Sequence, residues 1–365
     1  METILKNEEL AVFKLRSLYS KYGYTQYKMS TFEEYDLYVR NKDFLISDRV
    51  ITFTDTNGKL LALKPDVTLS IINHLGNENS VQKLYYNENV YRVSGESKRF
   101  KEIMQTGLEC VGNIGVYEIC EVTSLACESL KAISSQYMLE LSHAGIVLAY
   151  LKESGLNEEN IKTVNEYISL KNEGAINQMV LESKITEDQA EKACLLINNY
   201  TDINKLENDL MLKSDEGKNA FNEFKTVINA LNECGFSKNI TINFSLSNNM
   251  RYYSGIVFKG YVKGIPTGVL SGGQYDALMR KLKKNSSAIG FAVYLDGFER
   301  LNNSLPEYDV DYVLVVNKNE DPINVLSAQK ELSKNGETVL VSYEIPKKIK
   351  YKKAVKLNKK ELSDA

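Results

Sequence analysis

The segment Gln105-Thr106-Gly107-Leu108-Glu109 sets a carboxamide and a carboxylate on either side of a glycine. On a strand, whose side chains alternate between faces, Gln105, Gly107 and Glu109 share one face while Thr106, Leu108 and Cys110 share the other. A polar face with a gap suits a small polar ligand, although a solvated strand edge explains the segment as well when it is taken alone. In LALKPDVT an apolar run stops at Pro65, and Asp66 and Thr68 then offer a carboxylate and a hydroxyl that could grip an ammonium group. Turn chemistry alone also places Asp after Pro. Tyr252 and Tyr253, in YYSG, point to opposite faces of an extended segment, so one phenol belongs to a core and the other could line a pocket; core packing is the default for both.

Other candidates carry less. Arg92, Lys98, Arg99 and Lys101, with Glu96 and Glu102, form a mixed-charge loop, usually a solvated hairpin and occasionally a phosphate clamp. The glycines of SGGQYD could cradle a phosphate, but no GKS/T or GxGxxG pattern accompanies them. The two histidines, His74 and His143, lie far apart in sequence and give no Ser-His-Asp or Cys-His set.

These residues need a scaffold, and the chain is long enough to supply one. Its 365 residues, 43% hydrophobic and 10% aromatic, fit two or three globular domains and leave no room for a disordered or fibrous reading. With 45 Lys+Arg against 48 Asp+Glu the formal net charge is -3, so no global basic field draws the chain to nucleic acid or membrane. Five cysteines at irregular spacing, with no CxxC pair, argue against a zinc site or a disulfide framework. No apolar stretch approaches the ~18 residues of a membrane span, and the first residues read as an amphipathic helix, so the expectation is a reducing, cytoplasmic protein.

Leu5, Leu10, Val12, Phe13, Leu15 and Leu18 recur at near-helical spacing over residues 5–22. Short extended runs follow, with a hairpin signal at Asp55-Thr56-Asn57-Gly58 and strands over KLYYNENVYRV and IMQTGLECVG. Residues 121–154 return to helix with a strand near 137–141. Residues 158–234 change texture: rich in Asn, Lys, Glu and Leu and free of proline, they read as a helical insertion. β signals resume in NITINFSLSN, RYYSGIVFKGYV and SSAIGFAVYL, so one sheet is shared by segments on either side of the insertion. After Leu305-Pro306 comes a strand-helix-strand unit, then a lysine-rich tail read as solvent-facing or disordered.

The order of these segments is more specific than any one of them: YGYTQYKMSTFEEYDLY, LLALKPDVT, NVYRVSGESKRFKEIMQTGLECVG, NNMRYYSGIVFKGY, SGGQYDALMRKL and SAIGFAVYLD. Over residues 1–304 it resembles the catalytic core of the histidyl-tRNA synthetase family, with QTGLE and YYSG its most specific parts. The resemblance implies an α+β class, a class II aminoacyl-tRNA synthetase-like antiparallel sheet flanked by helices, with the helical insertion at about 158–234. A short C-terminal βαβ unit at 308–365 looks like the truncated start of that family's anticodon-binding domain. It implies a histidine site of Asp66, Thr68, Arg92, Gln105, Glu109, Tyr252 and Tyr253, and neither metal nor cofactor.

The family's activation machinery carries over less well. The arginine opening its RGLDYY motif falls on Asn248, with Asn249 and Arg251 at the glycine and aspartate positions. The motif 3 arginine falls near Gly297 unless Arg300 replaces it, the GGRYD arginine is Gln274, and the glutamate after Arg92 is Ser94. The motif 1 proline is Ser30, and the loop at 93–101 departs from the pattern. Charge-assisted contacts contribute ~1.5–3 kcal/mol each and loss of a transition-state stabiliser costs ~10²–10³ in rate, so two missing arginines leave little adenylation.

A histidine pocket without ATP chemistry resembles instead the paralogous regulatory subunits of ATP phosphoribosyltransferase, as does the Asp of KPD-T. That resemblance implies a non-catalytic protein, a homodimer within a hetero-oligomer with the short catalytic subunit. Such a protein is required for the first step of histidine biosynthesis, binds L-histidine and conveys its feedback inhibition, with no tRNA and no membrane as partner. The alternatives are a divergent histidyl-tRNA synthetase, with Arg300 or Arg251 standing in for the missing groups, and a synthetase-like protein that binds another amino acid or partner.

Overall fold

A computed structural model describes residues 5–42, 49–75, 80–93, 99–248, 253–301, 307–358 and 361–364. Contacts divide the chain into two units, one spanning Leu5–Leu301 and the other taking Asn302–Ala365.

The larger unit opens with α1 (Asn7–Lys21), which buries Ala11, Leu15 and Tyr19 on one stripe. Then come β1 (Thr25–Gln26), β2 (Phe32–Glu34), α2 (Tyr35–Arg40), β3 (Thr52–Thr54), β4 (Leu60–Leu63) and α3 (Thr68–His74). The hairpin expected at 55–58 joins β3 to β4, closed by Gly58 N–H donating to the Asp55 carbonyl at 2.9 Å. Two long strands, β5 (Gln82–Val93) and β6 (Phe100–Gly112), are followed by α4 (Val116–Ile133), β7 (Tyr137–His143) and α5 (Ala144–Glu153).

The segment expected to be a helical insertion contains α6 (Glu158–Ser169), α7 (Glu173–Leu181), α8 (Glu187–Leu195), a two-residue strand β8 (Asn199–Tyr200), α9 (Ile203–Leu210) and α10 (Asp215–Glu233). Each of its five helices starts at a side-chain cap. Asn157, Asn172, Thr186, Asp202 and Ser214 accept from the backbone N–H of Asn160, Ala175, Gln189, Asn204 and Gly217. The segment is less separate than its composition suggests, since β8 pairs with the main sheet and α10 packs along α4 and α5.

β9 (Ile240–Asn243), a 3₁₀ turn at Phe244–Asn248, β10 (Ile256–Val262), β11 (Leu270–Gln274), α11 (Asp276–Lys281) and β12 (Ser287–Tyr294) complete the unit. The main sheet has the order β1-β5-β6-β12-β11-β10-β7-β9-β8. It is antiparallel except where β1 meets β5 and β7 meets β9. β7 from before the helical segment thus lies between β9 and β10 from after it. On one face Leu108, Cys110, Phe258, Ile289 and Phe291 join the apolar stripes of α1 and α4 in the principal core. The opposite face carries the polar side chains that the sequence singles out. A smaller sheet, β2-β4-β3, adjoins β5 of the main sheet through Lys64, whose carbonyl accepts from the Tyr91 N–H at 3.0 Å.

The C-terminal unit contains β13 (Val310–Val315), α12 (Pro322–Leu332), β14 (Val339–Ser342), β15 (Tyr351–Asn358) and β16 (Glu361–Asp364), in sheet order β14-β13-β15-β16. The lysine-rich tail is therefore strand rather than loose chain. Val355 and Leu357 are buried while Lys352, Lys353 and Lys356 stay exposed, and the pairing of β15 with β13 satisfies its backbone.

Candidate functional site

The site begins where β4 ends. Asp66 Oδ1 accepts from the Leu69 N–H at 2.8 Å, which anchors the first turn of α3. Its other oxygen accepts from an Arg92 Nη at 3.2 Å, and Arg92 Nε donates to the Pro65 carbonyl at 2.5 Å. The turn is thereby tied to β5, which carries Arg92, and all these groups are buried. Three of the five guanidinium N–H donors remain beyond those two contacts, and Tyr294 at the end of β12 takes part of that capacity.

At the first residue of α3, the Thr68 hydroxyl donates to Glu109 Oε1 at 2.6 Å, while the Tyr275 hydroxyl donates to Oε2. Glu109 is 1% exposed. Burial pushes its carboxyl up to about 8, against the pull of Thr68 and Tyr275 and with a further push from Asp66. Gly290 of β12, directly opposite in register, makes room for it, since a Cβ there would lie 1.8 Å from Oε2. The gap at Gly107 is filled by protein and not left for a ligand: a Cβ there would stand 2.6 Å from the Tyr86 hydroxyl oxygen.

Gln105 lies on the same face, 2% exposed, and among the described residues its Nε2 has no hydrogen-bond partner. A buried amide N–H₂ left unpaired costs about 1–3 kcal/mol, so a group that remains so in a folded chain calls for a reason such as a ligand. Tyr253, at the entry to β10, is half-buried, and burial pushes its phenol up so that it stays a neutral donor.

These groups line one cavity of about 610 Å³, with Asp66, Arg92, Gln105, Tyr253, Tyr275 and Tyr294 around one end. That is within the ~300–1,000 Å³ range of small-molecule sites. Of the residues expected from sequence, Asp66, Thr68, Arg92, Gln105 and Tyr253 meet at this cavity. Glu109 lies behind the wall, holding Thr68 and Tyr275 in place. Tyr252, like Arg251, Asn249, Ser94, Glu96 and Lys98, lies outside the described residues.

Tyr275 and Tyr294 were not singled out, although both sit in quoted motifs: Tyr275 follows Gln274 in SGGQYD, and Tyr294 closes the strand that pairs it with Gln105. The Asp66–Arg92 pair presents opposite charges side by side, complementary to the ammonium and carboxylate of an amino acid, with neutral hydrogen-bonding groups beyond.

The positions of the missing arginines do other work. Gln274 Oε1 accepts from the Ile256 N–H at 2.7 Å and pins the bend before β10. Arg300 is exposed on a 3₁₀ turn (Phe298–Arg300) that contacts α1 through Asn7, and it does not line the cavity. Among the described residues no group of three or more His, Cys, Asp and Glu side chains could hold a metal ion, and no helix is long and apolar enough to cross a membrane.

The family model for histidyl-tRNA synthetase matches residues 3–298. A curated relative, the ATP phosphoribosyltransferase regulatory subunit of Bacillus cereus (strain AH187), is 27% identical over 292 residues, covering 78% of this chain and 69% of that protein. Among solved structures, a protein from Bacillus halodurans described as an ATP phosphoribosyltransferase regulatory subunit/histidyl-tRNA synthetase superposes with a TM-score of 0.76 at 23% identity, covering 92% of this chain and 88% of that one. A chain of the ATP phosphoribosyl transferase (HisG:HisZ) complex from Thermotoga maritima gives 0.65 at 21% identity, over 80% of this chain and 98% of that one. At these identities the two structures speak to the fold.

Proposed function

The chain belongs to the histidyl-tRNA synthetase family, and from that premise we propose that it is a non-catalytic regulatory subunit of ATP phosphoribosyltransferase that binds L-histidine. The observation that carries the reading is an amino-acid end of the cavity complete in its described parts beside activation positions turned to structural use. Asp66, Arg92 and the unpaired Gln105 amide face the cavity, while Gln274 is folded onto the Ile256 N–H and Arg300 stands away. The name shared by the curated relatives supports the same direction.

In this reading the histidine ammonium sits on Asp66 with the Thr68 hydroxyl oxygen, its carboxylate accepts from guanidinium donors of Arg92 and from the Gln105 amide, and the imidazole meets the phenols of Tyr253 and Tyr275. Glu109 acts through Thr68 and Tyr275, which it holds in place. The partner is the short catalytic subunit, joined by a homodimer of this chain in a cytoplasmic hetero-oligomer without tRNA. Feedback follows if histidine binds the inactive arrangement more tightly: a ~5–150-fold preference needs only ~1–3 kcal/mol of coupling.

The test is the activity of the short transferase from the same genome, with and without this protein, across a histidine titration. Activity that appears only in the mixture and falls with histidine is the expected result. No activation, with a competent catalytic subunit and no complex on a sizing column, would overturn the reading. Histidine-dependent ATP-pyrophosphate exchange would put the divergent synthetase in its place.

A further inference from the structure

The cavity is larger than an amino acid fills, and its far end is built from different elements. There Glu140 of β7, Asn243 of β9, Ser245 of the following 3₁₀ turn, Lys259 and Tyr261 of β10, and Lys171 just after α6 line the wall. None of them belongs to the amino-acid end.

The arrangement of charge at this end is unusual. Lys259 and Glu140 are directly opposite in the β10–β7 register, where Cβ atoms are ~5 Å apart and an ion pair is the ordinary outcome. Here the carboxylate is engaged elsewhere. Glu140 Oε2 accepts from Asn243 Nδ2 at 3.0 Å, and the Tyr261 hydroxyl also bonds to Glu140. Asn243, 4% exposed, is itself locked, because its Oδ1 accepts from the Ser245 N–H at 3.1 Å and the Ser245 hydroxyl at 2.7 Å.

Among the described residues, no carboxylate lies within 4.0 Å of the Lys259 ammonium. That ammonium sits 5.5 Å from the Tyr261 ring centroid. Its stem lies against Gly268, where a Cβ would be 2.4 Å from the lysine Cε. Across the chamber, Lys171 is held on a left-handed turn with φ of 50°, and it donates one N–H to Asn199 Oδ1 at 2.7 Å, keeping two donors in reserve.

We propose that this end of the cavity binds a phosphate group of a small molecule, seated beside the amino acid, with Lys259 and Lys171 as its cationic contacts. Two separate ammonium groups suit a tetrahedral, multiply charged anion, whereas a carboxylate is better matched by the planar fork of an arginine. The locked Glu140 keeps the chamber from becoming an unselective anion trap, since a ligand must supply enough charge to outweigh it. The inference shares the cavity with the histidine reading but does not depend on histidine as the neighbouring ligand.

The experiment is calorimetric titration of the full-length protein with inorganic phosphate and with ribose 5-phosphate, against chloride at matched ionic strength. Saturable binding of phosphate is expected, weakened about tenfold or more by Lys259→Met, the loss of one charge-assisted contact. Lys171→Met should weaken it several-fold, and Glu140→Gln should strengthen it. Tighter binding of the ester than of the free anion would identify a phosphorylated metabolite as the source; equal binding would identify free phosphate.

Histidine titrated into the same samples separates the two readings, because Lys259→Met should leave its affinity within about twofold. Equal phosphate binding by the parent, Lys259→Met and Lys171→Met, or an equal response to chloride, would overturn the proposal. Failure of histidine to bind while the phosphate pattern holds would overturn only the histidine reading.

Discussion

On the helix side of β5 and β6, Lys83 donates to both Glu121 oxygens at 2.6 and 2.8 Å, and the Tyr24 and Tyr117 hydroxyls reach the same carboxylate at 3.2 and 2.9 Å. The ammonium also stands over both rings, at 5.6 and 5.8 Å. On the cavity side the ingredients are the same, a cation, carboxylates and tyrosines, but Arg92 touches Asp66 through one contact and the Gln105 amide has no partner among the described residues. The first cluster has its carboxylate fully engaged by four hydrogen bonds and acts as a strut between β5 and α4. The second keeps capacity in reserve beside an open volume, which is what a binding site requires and what a folded chain otherwise avoids.

The charges behave accordingly. Burial works against the Lys83 ammonium, yet the Glu121 bonds outweigh it and hold the lysine above its usual value. Among the described residues no cation pairs with Glu109, and burial keeps its proton on.

The comparison breaks most visibly at Glu121. Glu121→Ala strands Lys83 and should cost about 3 kcal/mol or more in urea unfolding while leaving histidine affinity unchanged. A loss of binding as large as the loss of stability would mean that the two faces are not independent.

Glu109 supplies the next test. The folded carboxyl holds its proton up to about pH 8, whereas in the unfolded chain it ionises near the ordinary 4.5. Between those values the folded state binds more protons, so the group's contribution to stability falls as pH rises, by up to about 1.4 kcal/mol per unit. Unfolding measured from about pH 5 to pH 8 should show Glu109→Gln gaining on the parent as pH rises. Parallel curves would mean that Glu109 is ionised in the fold.

Asp66→Asn should weaken histidine binding by about 1–3 kcal/mol in calorimetry, with a smaller loss of stability because an amide oxygen still caps α3. Unchanged affinity would remove Asp66 from the site. The smallest effect has the opposite sign: Gln105→Met replaces an unpaired buried amide by an apolar side chain and should stabilise the ligand-free protein by about 1 kcal/mol while weakening histidine binding. Stability lost in that variant would show that the amide is satisfied in the free protein.

How far the site could be read in advance varied with the kind of constraint. The alternation that puts Gln105 and Glu109 on one face is local, as is the Pro65 stop that places Asp66 before α3. The assignment of Gly107 as a ligand gap failed because strand period says which face a glycine serves but not which neighbour fills it, and Tyr86 lies on another strand. The lysine-rich tail was misread for a similar reason: its Val355 and Leu357 are too few to signal a strand until β13 offers a partner. The helix starts in 158–234 were hidden because Asn, Thr, Asp and Ser caps are punctuation that composition blurs into the surrounding polar residues.

The amino-acid sequence by itself determined the class of this protein: the order of strands, the polar face of β6, and the replacement of arginines that the family carries. Those are properties of spacing and residue type, carried by every short segment wherever it folds. Only the tertiary structure decided which polar groups are spent on one another and which are held in reserve. Glu109 turned out to stand behind the wall, Tyr275 and Tyr294 to complete it, and Glu140 to be drawn away from Lys259 by Asn243 and Tyr261. The reason is physical: hydrogen-bond capacity and burial belong to neighbours in space, and the neighbours here lie 103 and 166 residues apart in sequence for Glu140–Asn243 and Glu109–Tyr275.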